Sequence, residues 1–351
     1  MIRVLVTGSG GPGAVNLARS LRLDPEMYTV GCDASPYYLH LSATHVHTLV
    51  PRCSEREAYI AAIVALCHEH AIDVVVPSNS LEAHVLSAER DRIPARLRLP
   101  PTPTLDLANS KWRSYEIWRD AGLPVPRTWL LHTAEDVEHV FSELRTRPVW
   151  VRGAGIPGKG IGGAALPCRT VEHALAWIDF YHGYGGMIAS EFLPGENLTW
   201  IGLFDRGQLV TSAARERLAY VIPHVSPSGI TGAPAITRTV HRPDLNTLAV
   251  RAALALDHRL DGVSFLDFKA DAEGRPRLTE LNAGRFGTTV HFYSCAGLNL
   301  PALLVRLALQ QPLGPVSLTD AIPAGLTWIR TLDAGPVLLG PDGVPRALPV
   351  G

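Results

Sequence analysis

Two acidic residues and one amide occur close together in a segment that has the pattern of a β-hairpin. The runs VSFLDFKA and RPRLTELN are typical of strands, and the DAEG between them is typical of a turn. A turn centred on the EG pair places Asp267 directly opposite Glu280. Because side chains alternate along a strand, Asn282 and Lys269 share that face. We therefore expect two carboxylates, an amide and an ammonium group on one side of the hairpin.

This set of oxygen ligands indicates a divalent metal site. Opposed carboxylates repel each other in a bare hairpin, so a cation is expected between them. A small number of hard oxygen ligands suits Mg²⁺, which takes its remaining ligands from water and substrate phosphates. The alternative is an ordinary hairpin whose acids face solvent. Arg285 follows in the glycine-flanked run AGRFG and adds a guanidinium just beyond the expected ligands.

The order of these residues resembles the metal-binding end of the ATP-grasp ligases, a superfamily that includes D-alanine–D-alanine ligase, biotin carboxylase and carbamoyl-phosphate synthetase. The similarity lies in an aspartate followed by Glu-x-Asn and then by an arginine. It implies that Asp267, Glu280 and Asn282 bind Mg²⁺, or Mn²⁺ in its place, against the phosphates of ATP. It also implies that Arg285 assists the transferring phosphoryl group, and Lys269, on the face of the two acids, is a further candidate catalytic residue.

A lysine at the start of a predicted helix extends the resemblance. Ser110–Ala121 has the pattern of an amphipathic helix, and Gly122 and two prolines follow it. The ATP-grasp segment with this pattern carries a lysine that reaches the nucleotide phosphates, which implies that role for Lys111. The alternative is a solvated lysine at a helix start.

A glycine-rich run follows the strand predicted at Pro148–Gly153. Backbone N–H groups in AGIPGKGIGG can close around phosphate oxygens, with Gly158, Lys159 and Gly160 at the centre of the run. The alternative is a flexible surface loop. In the superfamily this run is the flap of a lid, and the strand before it carries a lysine that contacts the α- and β-phosphates. Arg152 holds that place here, which keeps the charge and changes its geometry.

Two further segments match the superfamily in order along the chain. The run EFLPGEN resembles the hinge between the two subdomains. The resemblance implies contact of adenine with Glu191, Phe192 and Leu193, and it places Glu196 in the nucleotide site as well. In the run TSAARERL, Arg215 and Arg217 are candidates for an anionic substrate group. Salt-bridged surface residues are an equally good interpretation of the two arginines.

The N-terminal segment offers an alternative function. A short apolar strand leads into the glycines of Gly8–Gly13, and the next predicted strand ends at Asp33. This pattern is similar to a dinucleotide fingerprint and would indicate an NAD-dependent oxidoreductase. The spacing departs from G-x-G-x-x-G, and any tight strand–helix turn favours glycine. ATP-grasp enzymes begin with a Rossmann-like domain of this kind that does not bind NAD.

The pattern of elements predicts an α/β protein of three parts. Alternating strands and helices over residues 1–104 predict a Rossmann-like pre-ATP-grasp domain. Residues 105–312 are expected to form the ATP-grasp fold of two α+β subdomains, with the lid at about 145–190. A single helix is predicted from Cys295 to about Gln310, and residues 313–351 are expected to form a small C-terminal β appendage.

Composition excludes several classes of protein. The chain has 351 residues, 46% hydrophobic and 19% charged, and a formal net charge of −1. Nothing in this balance indicates a nucleic-acid or membrane partner. Five dispersed cysteines and the absence of a leader pattern after Met1 favour a cytoplasmic protein with reduced thiols. Only three of 32 basic residues are lysine, namely Lys111, Lys159 and Lys269, and all three fall in segments assigned to nucleotide binding.

The resemblance implies an ATP-dependent carboxylate–amine ligase. A carboxylate would be activated as an acyl phosphate, and an amine would then displace phosphate to form an amide, with release of ADP. The expected partners are a small-molecule carboxylate and amine, and pairing of two copies is left open. Besides the oxidoreductase, a non-catalytic nucleotide-binding protein is the remaining alternative, because Arg152 departs from the superfamily pattern.

Overall fold

A computed structural model describes residues 1–156, 163–230, 232–331 and 337–346. Within these ranges the chain forms three β-sheets, each packed against helices, as expected for an α/β protein. The first sheet is built from the N-terminal third of the chain, the second from residues 128–191, and the third from the remainder. None of the described helices has the length and apolar character that crossing a membrane requires.

The first sheet is parallel, and helices connect its strands. Its elements are β1 (Ile2–Thr7), α1 (Pro12–Leu21), β2 (Met27–Asp33), β3 (Val46–Leu49), α2 (Arg56–Glu69), β4 (Val74–Val76) and α3 (Ser80–Ala88). The strand order is β3-β2-β1-β4. β1 and β4 are apolar and almost wholly buried, as a parallel sheet covered on both faces requires.

Two helices lead from the first sheet to the second. They are α4 (Thr102–Asn109) and α5 (Lys111–Asp120). Ser110 caps α5 by accepting a hydrogen bond of 3.4 Å from the backbone N–H of Arg113, so the helix begins at Lys111. The buried Trp118 anchors the helix, because its indole N–H donates to the carbonyl of Ala252 at 2.9 Å.

The second sheet is antiparallel and has helices on one face. Its elements are β5 (Thr128–Leu131), α6 (Ala134–Glu143), β6 (Val149–Gly153), β7 (Leu166–Cys168), α7 (Val171–Phe180) and β8 (Met187–Glu191), in the order β5-β8-β6-β7. Val149 and Val151 are buried in the core that the sheet shares with both helices. Since side chains alternate along a strand, Trp150 and Arg152 lie on the opposite face of β6.

The third sheet is the largest and contains the predicted metal hairpin. Its elements are β9 (Asn197–Asp205), β10 (Gln208–Tyr220), β11 (Pro234–Val240), α8 (Pro243–Leu256), β12 (Gly262–Ala270), β13 (Pro276–Ala283), α9 (Val290–Cys295), α10 (Leu300–Ala308), β14 (Thr327–Ile329), β15 (Val337–Leu339) and β16 (Pro345–Arg346). The order is β13-β12-β9-β10-β11-β14-β15-β16. The last three strands therefore extend this sheet.

The two faces of the third sheet contact different parts of the protein. On β9, Trp200 is buried in a core with α5 and α8, whereas Ile201 is buried in a core with α1, α9 and the first sheet. Thr199 precedes this pair and therefore lies on the same face as Ile201. The first sheet and its helices are called the N-terminal unit below. The face of the third sheet that packs against this unit also carries the candidate site.

One predicted element is wrong, and the domain boundaries stay predictions. The helix expected from Cys295 to about Gln310 is shorter than predicted, because Cys295 is the last residue of α9 and α10 spans only Leu300–Ala308. Gly297 has φ +105°, a conformation that L-residues avoid, and it interrupts the helical path. The boundary proposed near residue 104 falls within α4, and strands on both sides of residue 312 belong to the third sheet, so both boundaries stay predictions.

Candidate functional site

The hairpin formed by β12 and β13 has the predicted register at its acids. Asp267 pairs directly with Glu280. Nearer the turn, Phe268 pairs with Leu278, so Thr279 is an extra residue that forms a bulge. The hydroxyl of Thr279 donates to the carbonyl of Asp267 at 2.8 Å. Because of the bulge, the turn is centred on Glu273 rather than on the EG pair.

Two cations from other elements approach the carboxylate of Glu280. Nζ of Lys111, at the start of α5, lies 3.5 Å from Oε1, and Nη1 of Arg152, on β6, lies 3.8 Å from Oε2. Arg152 is fixed further by a hydrogen bond of 2.5 Å from Nη2 to the carbonyl of Thr279. The structure therefore brings together a helix start, the second sheet and the hairpin, as the sequence predicts for Lys111 and Arg152.

Asp267 is held by one residue of each of the next two strands in the sheet, β9 and β10. The hydroxyl of Thr199 donates to Oδ1 at 2.9 Å, and Nη1 of Arg217 donates to Oδ2 at 3.2 Å. Thr199 pairs with both Asp267 and Arg215 in the sheet register. Glu280, Asp267, Thr199 and Arg215 thus form one row across four adjacent strands.

Arg285 connects the hairpin to the N-terminal unit. Its Nη2 donates to Oδ1 of Asn282 at 2.7 Å, and its Nε donates to the hydroxyl of Ser80 at 2.8 Å. The guanidinium also lies 5.1 Å from the ring centre of Phe265. Nδ2 of Asn282 in turn donates to Oε1 of Glu280 at 3.4 Å. The predicted ligands Glu280 and Asn282 are therefore adjacent, with Arg285 beside them.

The cations favour the ionised form of the Glu280 carboxylate. Burial raises the pKa of Glu280, but the charges of Lys111, Arg152 and Arg285 outweigh burial and leave this pKa below its ordinary value. Burial lowers the pKa of Lys111, and Glu280 opposes that change. Burial by itself lowers the pKa of Arg217. The charge of Asp267 is the main influence in the other direction, and the pKa of Arg217 is above its ordinary value. The cluster is rich in positive charge, which suits a polyanionic ligand.

The donor set fits a small divalent cation. Asp267, Glu280 and Asn282 present two carboxylates and one amide oxygen on one face, the number of protein ligands that Mg²⁺ uses beside phosphates. The amide oxygen of Asn282 accepts from Arg285 and retains a second lone pair for a cation. Charge repulsion between the acids does not by itself require a metal, because Arg217 and Lys111 already compensate them.

The hinge residues lie at the edge of the cluster. Leu193 is buried, and the ring of Phe192 lies 6.3 Å from that of Trp150. Trp150 precedes Arg152 by two residues on β6 and so shares its face, a signal in the sequence that the prediction missed. Glu191 accepts a hydrogen bond of 3.1 Å from the backbone of Arg127 through its carboxylate.

Lys269 and Glu196 occupy different surroundings. Nζ of Lys269 donates to the carbonyl of Gly195 at 2.5 Å, so this lysine attaches the hairpin to the hinge. Glu196 is exposed and pairs with Arg242 at 3.1 Å, outside the cluster. The structure does not bring Glu196 to the predicted nucleotide site. The predicted flap residues Gly158, Lys159 and Gly160 lie outside the described residues.

A narrow pocket lies beside the cluster, between β10 and α9. It has a volume of about 10 Å³, room for about one water, and it is lined by Thr199, Arg215, Tyr293 and apolar neighbours. Arg215 is buried and donates to the hydroxyl of Thr289. Nε of Arg215 and the hydroxyl of Tyr293 are buried without a hydrogen-bond partner among the described residues. The pocket therefore has polar groups on one side, and these two atoms lack hydrogen-bond partners among the described residues.

The glycine turn of the first sheet does not support the dinucleotide alternative. Asp33 accepts hydrogen bonds from the backbone N–H groups of Gly10 at 2.9 Å and Ser35 at 2.8 Å, so its carboxylate is used within the turn. A Cβ on Gly10 would lie 1.9 Å from the carbonyl oxygen of Tyr38. The backbone at Tyr38 therefore packs directly against this glycine.

Comparison with known proteins identifies ligases as relatives. No protein-family model matches the chain. The D-alanine–D-alanine ligase of Aromatoleum aromaticum is 27% identical over 219 residues, which cover 59% of this chain and 68% of that protein. D-alanine–D-alanine ligase of Azoarcus is 28% identical over 216 residues, 59% of this chain and 69% of that protein. The similarity thus reaches beyond short motifs.

Solved structures show that the whole fold is shared. The biotin carboxylase domain of 2-oxoglutarate carboxylase from Hydrogenobacter thermophilus superposes with a TM-score of 0.69 at 15% identity, over 94% of this chain and 74% of that one. An L-amino acid ligase from Bacillus licheniformis superposes with a TM-score of 0.62 at 16% identity, over 93% of this chain and 79% of that one. At these identities the likeness describes the fold.

Proposed function

We propose that this chain, which belongs to the ATP-grasp superfamily, is an ATP-dependent ligase that joins a carboxylate to an amine. The observation that carries the proposal is the pair Asp267 and Glu280, opposed across a hairpin and surrounded by Lys111, Arg152 and Arg217. Such a cluster neutralises phosphates and leaves oxygen ligands for a metal ion. The sequence relatives are D-alanine–D-alanine ligases, and a structural relative is an L-amino acid ligase.

The proposed reaction has two steps. A carboxylate oxygen attacks the γ-phosphorus of ATP, the bond from that phosphorus to the bridging oxygen breaks, and ADP leaves with the electron pair. The amine nitrogen then attacks the carbonyl carbon of the acyl phosphate. Phosphate leaves, the amide forms, and the nitrogen releases its extra proton to solvent. Phosphoryl transfer of this kind depends on positioning and charge neutralisation more than on a protein nucleophile.

Each side chain of the cluster has a role in this scheme. Lys111 and Arg152 neutralise nucleotide phosphates, since both approach Glu280 from the elements that face the hairpin. Asp267, Glu280 and Asn282 hold Mg²⁺, or Mn²⁺ in its place, which supplies further positive charge to the phosphates. Arg285 stands next to Asn282 and faces the transferring group. Lys269 fixes the hinge relative to the hairpin through Gly195.

The adenine and flap contacts complete the nucleotide site. The ring of Trp150, on the face of Arg152 and 6.3 Å from Phe192, offers a flat surface on which adenine can stack. The backbone of Glu191, Phe192 and Leu193 supplies hydrogen bonds to its edge. Gly158, Lys159 and Gly160 are assigned to the flap that closes over the phosphates, which protects an acyl phosphate from water.

The cellular setting is part of the proposal. All five cysteines are free thiols, which favours a reducing compartment, and we place the protein in the cytoplasm. Its partners are a small-molecule carboxylate and an amine, and pairing of two copies is a further proposal.

The test is a screen for ADP release with Mg²⁺ and ATP. Pairs of amino acids, other carboxylates and amines are supplied, and products are identified by mass spectrometry. We expect ADP release that depends on the carboxylate and is abolished in Glu280→Gln. Glu273→Gln is the matched control, because Glu273 lies in the same hairpin but pairs only with the exposed Arg275. ATP binding without carboxylate-dependent ADP release would instead identify a non-catalytic nucleotide-binding protein.

A further inference from the structure

A groove separates one face of α5 from the segment that contains β5. It has a volume of about 570 Å³, which lies within the range of roughly 300–1,000 Å³ that small-molecule sites occupy. Neither Asp267 nor Glu280 lines it, and neither do the cations that surround these two acids. Its lining includes Trp112, Tyr115 and Arg119 on one side and Arg127, Trp129 and Leu130 on the other. The groove is therefore distinct from the proposed nucleotide site.

The wall that α5 contributes is aromatic and ends in a cation. Trp112, Tyr115 and Arg119 follow one another at helical spacing, so they share one face of the helix. The ring centres of Trp112 and Tyr115 lie 5.4 Å apart. The guanidinium of Arg119 lies 5.7 Å from the ring centre of Tyr115. This wall therefore offers ring surfaces next to a positive charge.

The opposite wall repeats this combination at the edge of the second sheet. Within the described part of the chain, β5 is the edge strand in the order β5-β8-β6-β7, and the guanidinium of Arg127 lies 6.0 Å from the ring centre of Trp129. The carbonyl of Arg127 accepts a hydrogen bond of 3.0 Å from the backbone N–H of Glu191 on β8. Because backbone groups alternate in direction along a strand, Leu130 turns its N–H away from β8. This wall therefore presents a ring, a cation and a backbone donor.

The charges of the groove favour an anionic ligand. No acidic side chain lines it. Arg119 pairs with Asp120 at 2.8 Å, and Arg127 pairs with Glu191 at 3.8 Å, but both arginines are exposed. Exposed ion pairs contribute little to stability, so an anion in the groove competes with these carboxylates for the guanidinium groups. A ligand that joins an aromatic ring to a negative group therefore matches both walls.

Both walls belong to elements that also build the candidate site. α5 begins at Lys111, whose Nζ approaches Glu280. The backbone N–H of Trp112 donates to the carbonyl of Ala154, directly after β6, at 3.3 Å. β5 pairs with β8, which ends at Glu191 in the hinge. A ligand that contacts both walls would fix α5 relative to the second sheet, and so it would act on the residues that approach ATP.

We propose that this groove is an effector site for a planar aromatic ligand that carries one anionic group, a carboxylate or a phosphate. The ring stacks on the aromatic side chains of the two walls, and the anionic group pairs with Arg119 and Arg127. Occupancy changes the affinity of the protein for Mg²⁺-ATP. Binding in the groove is independent of the proposed ligase function, whereas the effect on affinity uses the proposed ATP site.

Calorimetry on the full chain without nucleotide tests the ligand class. The probes are 1-naphthylacetate, 1-naphthyl phosphate, 1-naphthylmethylamine and cyclohexylacetate. We expect one naphthyl anion to bind stoichiometrically and at least about tenfold more tightly than the amine, which lacks the negative charge, and than cyclohexylacetate, which lacks the flat ring. Tighter binding of the acetate assigns a carboxylate, and tighter binding of the phosphate assigns a phosphate. Binding of neither anion, or affinities equal to that of the amine or of cyclohexylacetate, would overturn the proposal.

Substitutions on α5 test the location of the site. Arg119→Gln and Tyr115→Ala should each weaken binding of the naphthyl anion about tenfold, and Arg119→Lys should retain part of the affinity. Arg113→Gln is the matched control, because Arg113 is exposed on the same helix and does not line the groove. Thermal denaturation shows whether each variant is folded, and the exposed Arg119 keeps the test valid if Tyr115→Ala is not. Unchanged affinity in Arg119→Gln would place the bound probe elsewhere and overturn the assignment.

Nucleotide binding tests the effector role and separates it from the proposed function. The dissociation constant of Mg²⁺-ATP is measured with and without a saturating naphthyl anion. Coupling between two sites is reciprocal, and we expect a change of at least about fivefold that is absent in Arg119→Gln. An unchanged constant would overturn the effector role. If the chain binds no ATP, the ligase proposal fails and the effector role fails with it. The binding site itself is then decided by calorimetry with the naphthyl anions.

Discussion

Nε of Arg285 donates a hydrogen bond of 2.8 Å to the hydroxyl of Ser80. The N-terminal unit, which is the first sheet with its helices, therefore contacts the arginine that follows the hairpin in the chain. The same guanidinium donates to Oδ1 of Asn282 at 2.7 Å. Its position is therefore set from two sides, by α3 and by a proposed metal ligand. Since phosphoryl transfer depends on the placement of cations, we expect this contact to make the N-terminal unit part of the proposed catalytic arrangement.

Replacing Ser80 by alanine should lower kcat. Asn79, not Ser80, caps α3, because its side chain accepts from the backbone N–H of Glu82 at 2.9 Å, so the helix start is preserved. A hydrogen bond to a charged group contributes about 1.5–3 kcal/mol, and we expect roughly a tenfold loss in kcat with KM for ATP unchanged. Steady-state kinetics measure both parameters.

Two further variants control this experiment. Ser80→Thr keeps the hydroxyl and should retain most of the activity. Ser142→Ala removes an exposed hydroxyl that contacts only the backbone of α6, and it should have no effect. A kcat in Ser80→Ala equal to that of the unaltered protein would show that Arg285 is positioned without the N-terminal unit.

Trp150→Ala should weaken ATP binding more than it slows chemistry. The indole shares a face with Arg152 and lies beside Phe192, where adenine is proposed to stack. Stacking of a base on an aromatic side chain contributes about 1–3 kcal/mol, so KM for ATP should rise about tenfold or more. Trp150→Phe should be close to the unaltered protein. Phe180→Ala removes an exposed ring on α7 and serves as the control. Unchanged KM in Trp150→Ala would exclude this residue from the adenine site.

The sequence predicted the parts of the site that depend on local pattern. Strand alternation and turn composition were enough to place Asp267 opposite Glu280, and the register is confirmed. The order of Lys111, Arg152 and the hairpin indicated the ATP-grasp superfamily, and the relatives found by sequence are D-alanine–D-alanine ligases, which that resemblance includes. Lys111 and Arg152 meet the hairpin as expected because both belong to elements with clear helix and strand patterns.

Contacts made by distant segments could not be predicted in this way. Ser80 and Arg285 are 205 residues apart, and no local pattern connects them. Arg330 lies in a proline-rich tail whose strands gave no sign of joining the largest sheet beside β11. The bulge at Thr279 was missed because one extra residue leaves the composition of a strand unchanged. The exposed position of Glu196 reflects its pairing with Arg242, which is likewise remote in the chain.

Glu82 should make the stability of the protein depend on pH. This carboxyl is buried and accepts hydrogen bonds of 2.7 Å from the hydroxyl of Thr7 and from Nδ2 of Asn79. Burial raises its pKa to about 7, the charge of Asp33 adds to the rise, and the hydrogen bonds from Thr7 and Asn79 oppose it. The folded protein thus binds the proton more tightly than the unfolded chain, whose glutamate pKa is about 4.3.

The sign of the effect follows from proton linkage. The contribution of Glu82 is fully present below the unfolded pKa and is lost as pH rises from there through about 7, a change of about 4 kcal/mol. As pH is raised from 5 to 8, we expect the denaturation midpoint of the unaltered protein to decrease relative to that of Glu82→Gln. The exposed Glu273→Gln variant should follow the unaltered protein. Parallel pH profiles for Glu82→Gln and the unaltered protein would contradict the raised pKa.

The scarcity of lysine leads to a prediction about charge-conserving changes. This chain places its positive charges almost wholly on arginine, so guanidinium groups are tolerated on its surface. Lys111 lies 3.5 Å from Glu280 in a buried position, and Lys269 donates to the carbonyl of Gly195 at 2.5 Å. A planar guanidinium is larger than an ammonium group and presents its donors in a fixed fork. We expect the larger group to displace Glu280 at the first position and the hinge carbonyl at the second.

We therefore expect Lys111→Arg and Lys269→Arg each to lower kcat/KM for ATP, although both keep the charge. A displacement of about 1 Å at a phosphate can reduce the rate about a hundredfold, so the loss should lie between tenfold and that value. Lys159→Arg should have the smallest effect if a loop absorbs the larger group. Arg238→Lys, an exposed change in the opposite direction, is the control. Kinetics near those of the unaltered protein in all three arginine variants would mean that the clustering of lysines in these segments is accidental.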